Sequence, residues 1–184
     1  MTNRQISERV QSKTNSHTRL QTPEALVGEL MRTPAPPPSH QLIVQKILRL
    51  LYTAIGETHV ILQAPCDLQL TMNKFRQPDL MVISRHRKDI IAEHAVIGPP
   101  DAVIEVLSPS SRPLDCREKI KDYAAFGIKE YWIADPDQYT LLQYILPAGG
   151  IQYIRAAAYQ GHDSVHFHQS ADKLFVADDL WSGF

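Results

Sequence analysis

Two apolar runs, Gln77-Pro-Asp-Leu-Met-Val-Ile83 and Asp101-Ala-Val-Ile-Glu-Val-Leu107, read as strands covered on both faces, and each contains one carboxylate, Asp79 and Glu105. A charged side chain inside such a run has to be paired, neutralised or bound to a cation. If both carboxylates enter one site about 4 Å apart, their repulsion is on the order of 4 kcal/mol at an effective dielectric near 20. A divalent cation would turn that cost into a binding site. The competing reading is that each acid caps a turn or pairs with an arginine, and spacing alone leaves both readings open.

The rest of the chain supplies a sheet and helices to surround these runs. Residues 1–22 are polar apart from Ile6, Val10 and Leu20 and predict a mobile arm, leaving residues 23–184 as a single domain. Residues 24–32 suit a short hairpin around Gly28, with a helix as the alternative, and Pro34-Ala-Pro-Pro-Pro38 then delivers the chain to Ser39, a good helix N-cap. Apolar residues at 43, 47, 50 and 54, flanked by 44, 48, 51 and 55, predict a helix from His40 that Gly56 stops. Short strand patterns follow at 59–64, 67–71, 80–83 and 102–107. Asp115-Cys-Arg-Glu118 opens a second helix, which Gly127 ends. Strands are then expected at 130–134, 140–146, 151–159, 164–168 and 174–176, those at 140–146 and 151–159 joined across Pro147-Ala-Gly-Gly150. This order predicts an α/β (α+β) fold with a mixed central sheet flanked by helices.

Composition excludes several classes. With 184 residues and 43% hydrophobic content the chain can build one substantial core. No run has the length of a membrane span and the polar N-terminus lacks a signal-peptide core, so a soluble, cytoplasmic protein is expected. Cys66 and Cys116 have neither zinc nor redox spacing and read as free thiols. With 19 basic against 20 acidic residues there is no global footprint for nucleic acid. An enzyme that holds its substrate partly through a metal needs only a local basic rim, for which Arg85-His-Arg-Lys88 and the stretch from Arg112 to Lys121 are the candidates; ordinary solvated faces are the alternative.

An ordered series of short motifs connects these pieces: Glu24 with Gly28-Glu29-Leu30, Pro36 with Ser39-His40, Pro78-Asp79-Leu80, Glu105-Val-Leu-Ser-Pro-Ser110, Asp115 with Lys119 and Tyr123, Gly127, Glu130-Tyr-Trp132 and Asp135-Pro136. Together they resemble the Uma-two family of restriction endonucleases, within the PD-(D/E)XK nuclease superfamily. The resemblance implies a restriction-endonuclease-like core and a metal-dependent endonuclease that hydrolyses DNA. Asp79 and Glu105 would hold Mg²⁺ or Mn²⁺, aided by the backbone carbonyl near Val106 and by water, a hard-oxygen set suited to magnesium. One position departs from the superfamily pattern. The lysine normally two residues after the second acid is here Leu107. The resemblance suggests Lys119 as its substitute, and Asp115, Lys119 and Tyr123 at i, i+4 and i+8 share a helix stripe. Lys121 is the second choice, about 200° around the axis. A surface ion pair between Lys119 and Asp115, or packing on Tyr123, is the alternative to a catalytic role.

Weaker candidates are Glu24, as a further carboxylate; His40, as a contact to phosphate or metal or else a capping or packing residue; and Ser108, as a phosphate contact or a loop cap. His166 and His168 alternate on a strand but lack a third ligand, and Tyr131 and Trp132 read as core. Two other functions compete with the nuclease. A catalytically inactive nuclease-like module binding nucleic acid or protein is favoured by the neutral charge and the displaced lysine. A two-carboxylate sugar hydrolase would need a polar cleft that the sequence does not announce. A homodimer is expected for double-strand cutting, using an apolar edge near Thr140 to Leu146.

Overall fold

A six-stranded sheet organises the molecule, in the order β1-β4-β6-β7-β8-β9. The computed structural model describes residues 36–108, 115–168 and 172–183, and within α2 the side chains of 115 and 116 are not described. The expected N-terminal arm, the hairpin at 24–32 and Glu24 therefore lie outside the described residues. The strands are β1 (His59–Gln63), β4 (Leu80–Ser84), β6 (Ala102–Val106), β7 (Glu130–Asp135), β8 (Thr140–Ile145) and β9 (Ile154–Tyr159). All neighbours are antiparallel except β6 and β7. A parallel pair needs a crossover, and helix α2 (Asp115–Phe126) supplies it.

Both faces of the sheet are covered, which is why its central strands carry so few polar residues. Alternation sends Leu80, Val82, Ala102, Ile104, Trp132 and Ala134 toward helix α1 (Pro38–Ile55), which buries Ile43, Val44, Ile47 and Leu51 against them. This side is completed by the hairpin of β10 (Ser164–His166) and β11 (Lys173–Val176) and by the short helix α3 (Ala177–Trp181). On the other face Met81, Ile83, Val103, Tyr131 and Ile133 pack with Tyr123 and Ile128. Leu68, Leu70 and Val96 join them from a three-stranded sheet of β3 (Lys74–Arg76), β2 (Leu68–Thr71) and β5 (Val96–Ile97). No described helix is long and apolar enough to cross a membrane.

The expected α/β class and mixed central sheet are present, with local corrections. α1 is capped by Pro37, not Ser39, and starts at Pro38. Proline's fixed φ suits a first helical position, where its missing N–H has no partner to lose. Gly56 ends α1 with a right-handed φ of −60°, so it is required for space: a Cβ there would lie 2.5 Å from the Tyr52 carbonyl oxygen. Gly127 after α2 does adopt the left-handed conformation, at φ +85°. The strand expected from 151 begins at Ile154, and β3, β5, α3 and a 3-10 helix at Arg85–Ile90 had no clear pattern in the sequence. The apolar edge expected at 140–146 is not an edge. β8 is bonded to β7 on one side and β9 on the other, so the sheet ends at β9.

Candidate active site

Asp79 and Glu105 are brought together by strand register. β4 and β6 run antiparallel with Leu80 opposite Ile104 and Met81 opposite Val103, so one further step sets Asp79 opposite Glu105. Alternation sends both to the α2 side of the sheet, where Met81 and Val103 also point. Asp79 is fixed by the backbone of the neighbouring strand: the Val106 N–H donates to its Oδ2 at 2.8 Å.

Glu105 is held from α2. Lys119 Nζ donates to its Oε2 at 3.1 Å and the Tyr123 hydroxyl to its Oε1 at 2.7 Å. Four residues apart, these donors lie one turn apart on the same helix face, as their spacing predicts. Only 6% of Glu105 is exposed. Burial pushes its pKa up to about 7; the Lys119 charge opposes this rise and the nearby Asp79 charge reinforces it. The same burial, together with the Glu105 charge, raises the Tyr123 phenol far above its ordinary range, so it remains a hydrogen-bond donor.

His40 reaches the site from the first turn of α1. Its Nε2 lies 3.2 Å from Asp79 Oδ2 and 3.1 Å from the Val106 carbonyl oxygen. The hydrogen bond to Asp79 raises its pKa, against the opposing effect of burial. Its Nδ1 is buried without a hydrogen-bond partner among the described residues. Of the alternatives open in the sequence, simple helix capping is thereby excluded, since the imidazole contacts an acid and a carbonyl of the sheet.

Three oxygen sources for a cation, the two carboxylates and the Val106 carbonyl, thus gather at one end of β4 and β6. Among the described residues no three His, Cys, Asp or Glu side chains form a ready cation cage. Two carboxylates and one carbonyl completed by water still fit a magnesium-type ion, which keeps several waters. The buried, mutually repelling acids also fit, because a cation between them relieves the cost that raises Glu105.

The remaining sequence candidates separate clearly. Lys121 is exposed and lines a surface hollow with Ile120, Ala124, Ile151 and Tyr153, while Lys119 takes Glu105. Ser108 is buried just past β6. Asp115 opens α2, but its side chain lies outside what is described. Arg85, His86, Arg87 and Lys88 cannot rim this site. They follow the opposite end of β4, five residues or about 16 Å from Asp79, where Arg87 pairs with Asp101 at 2.9 Å and Arg85 bonds the Gly56 carbonyl. The basic groups closer by are Lys74 and Arg76 on β3, both bonded to Asp122 of α2, the residue before Tyr123. Sequence reading missed them; the alternation Lys74-Phe75-Arg76 between a turn and Pro78 was the signal available.

A family profile, Uma2, described as putative restriction endonuclease, matches residues 12–174. The chain belongs to the Uma2 family. Among solved structures, a protein described as a putative nuclease belonging to DUF820 from Anabaena variabilis shares the fold, with a TM-score of 0.64 and 18% sequence identity over 81% of this chain and 83% of that one. No curated protein matches. Within this Uma2 chain, the ordered motifs that carry the resemblance in sequence include three side chains that meet at Asp79 and Glu105 among the described residues: His40, Lys119 and Tyr123.

Proposed function

We propose that this chain is a metal-dependent endonuclease that hydrolyses DNA phosphodiester bonds, with Asp79, Glu105 and Lys119 as its catalytic residues. The observation that carries the reading is the convergence just described: two acids opposed by strand register, with an ammonium 3.1 Å from one of them. Membership of a family described as putative restriction endonuclease supports DNA as the substrate. Mg²⁺ or Mn²⁺ would be held by Asp79, Glu105 and the Val106 carbonyl. When bound, such an ion neutralises charge on the scissile phosphate and lowers the pKa of water.

The chain's own groups divide the remaining work. The Val106 N–H fixes the Asp79 carboxylate, so its orientation does not depend on a flexible partner. Lys119 stands where a strand lysine would be absent because of Leu107, and its ammonium can orient the attacking water and stabilise the hydroxide. Lys74 and Arg76, paired with Asp122 on α2, are the basic groups that would meet the backbone of a duplex there. Two copies acting on opposite strands would make a double-strand cut. Strand β9, one of the two edge strands of the sheet, is the edge proposed for pairing them, and light scattering would give twice the monomer mass.

The test is plasmid nicking with Mn²⁺ by wild type and Asp79→Ala. Nicking that disappears in the variant supports the reading. DNA binding without any nicking by wild type would instead assign a nuclease-like binding module.

A further inference from the structure

We propose that Tyr123 is a positioning residue that sets which cation the site prefers, by restricting Glu105 to one ligating oxygen. This rests on the metal-dependent reading above. The two Glu105 oxygens are not equivalent. Oε1 accepts from Tyr123 at 2.7 Å, and Oε2 accepts from Lys119 at 3.1 Å. The two donors differ in freedom. Tyr123 is fully buried and its ring meets Tyr131 edge-on with centroids 5.4 Å apart, so the phenol has nowhere to go. Lys119 is a flexible chain with 19% of its side chain exposed. Lys119 would therefore yield Oε2 to a cation more readily than Tyr123 would yield Oε1.

Glu105 then offers a single oxygen. Magnesium demands a tight octahedral shell and takes carboxylates through one oxygen, whereas calcium accepts six to eight ligands and commonly takes a carboxylate through both. A tyrosine that occupies Oε1 thus disfavours the larger ion. Phenylalanine at 123 keeps the ring and its packing, frees Oε1 and permits two-oxygen binding. The Tyr123 hydroxyl is an outer contact to a ligand, a class whose loss typically changes metal affinity by 10- to 100-fold.

The experiment is calorimetric titration of the full-length chain with MgCl₂, MnCl₂ and CaCl₂ separately, for wild type and Tyr123→Phe. Wild type is expected to bind Mg²⁺ and Mn²⁺ in preference to Ca²⁺. In Tyr123→Phe the ratio of Mg²⁺ to Ca²⁺ affinity should move toward Ca²⁺ by about tenfold or more. A merely structural tyrosine would weaken all three ions together and leave that ratio alone. An unchanged ratio with intact wild-type binding overturns the role of Tyr123 and leaves the metal reading standing; absence of any divalent binding by wild type overturns both. Should Tyr123→Phe fail to fold, a crystal of wild type soaked in Mn²⁺ decides. Glu105 bound through Oε2 with Tyr123 still on Oε1 supports the proposal, and ligation through both oxygens sinks it.

Discussion

Glu105 and Glu130 are both buried carboxylates on adjacent parallel strands, yet only Glu105 faces a second acid. Glu130, at the opposite end of the sheet, accepts from Trp132 Nε1 and Gln143 Nε2 at 2.9 Å each and from the His168 N–H at 2.7 Å. Burial raises its pKa, and these three neutral donors oppose the rise. Gln143 passes the connection onward, donating to the His166 carbonyl and accepting from the Tyr159 hydroxyl. The network joins β7 to β8 and β9 and to the segment after β10. Glu105 has one neutral donor and one ammonium, and it faces a second acid. Burial alone therefore does not distinguish the two acids. The distinguishing features are an opposing carboxylate and a counter-charge able to leave.

The largest contrast between these two acids should appear in catalysis. Asp79→Ala, Glu105→Ala and Lys119→Ala should each lower Mn²⁺-supported plasmid nicking by about 10²-fold or more, while Glu130→Gln retains it if the protein folds. Undiminished nicking by purified Glu105→Ala would erase the distinction.

Stability should separate them in the other direction. Glu130→Ala leaves the Trp132 indole and His168 backbone N–H groups, and one of the two Gln143 amide hydrogens, without their acceptor and should cost about 3 kcal/mol in urea unfolding. In the metal-free protein Asp79→Ala should leave the thermal midpoint similar, because relief of its repulsion with Glu105 offsets the loss of its bonds to the Val106 N–H and His40. A loss for Asp79→Ala as large as that for Glu130→Ala would mean that the acid pair is a structural tie instead.

The pH dependence sharpens the comparison further. Glu105 holds its proton in the folded state up to about 7, whereas the unfolded carboxyl releases it near its ordinary value of 4.5. Between those values the folded chain binds more protons, so this group makes metal-free stability fall as pH rises, by about 3 kcal/mol over the window. His40 acts in the same direction: its raised pKa contributes stability below 6.5 that is lost as pH climbs through the folded value. Thermal midpoints in EDTA across pH 4.5 to 8 should therefore decline, and Glu105→Gln should flatten the decline. An identical slope in that variant would refute the assignment to Glu105.

The smallest effect belongs to the lysine that the sequence ranked second. Lys121→Ala should change nicking by less than about twofold, since the side chain is exposed on a different surface from Glu105. A loss matching Lys119→Ala would show that both cations serve the site.

Much of this arrangement was legible before any coordinates. Apolar runs located β4, β6 and β7, and the acids inside the first two were conspicuous because burial forbids an idle charge. The spacing of Lys119 and Tyr123 placed them on one stripe of α2, and the structure adds that Glu105 lies beneath it. Other features depended on contacts that local pattern does not encode. His40 meets Val106 across 66 residues of sequence. The basic stretch at 85–88 looked like a rim, although the length of β4 already sets it about 16 Å from Asp79. The apolar character of 140–146 suggested an edge, yet the same pattern serves an interior strand, and pairing with β9 decides between them.

What the sequence determined by itself was local: which segments become strands or helices, and that a carboxylate in each of two buried runs demands compensation. Periodicity and desolvation act within a few residues, so they can be read from order alone. Tertiary structure decided the rest. The antiparallel register opposed Asp79 to Glu105, the crossover laid α2 over their side of the sheet, and α1 delivered His40 to the same oxygens. These depend on how strands pair across long separations, where the free energy belongs to the packed sheet as a whole and to no segment of the chain.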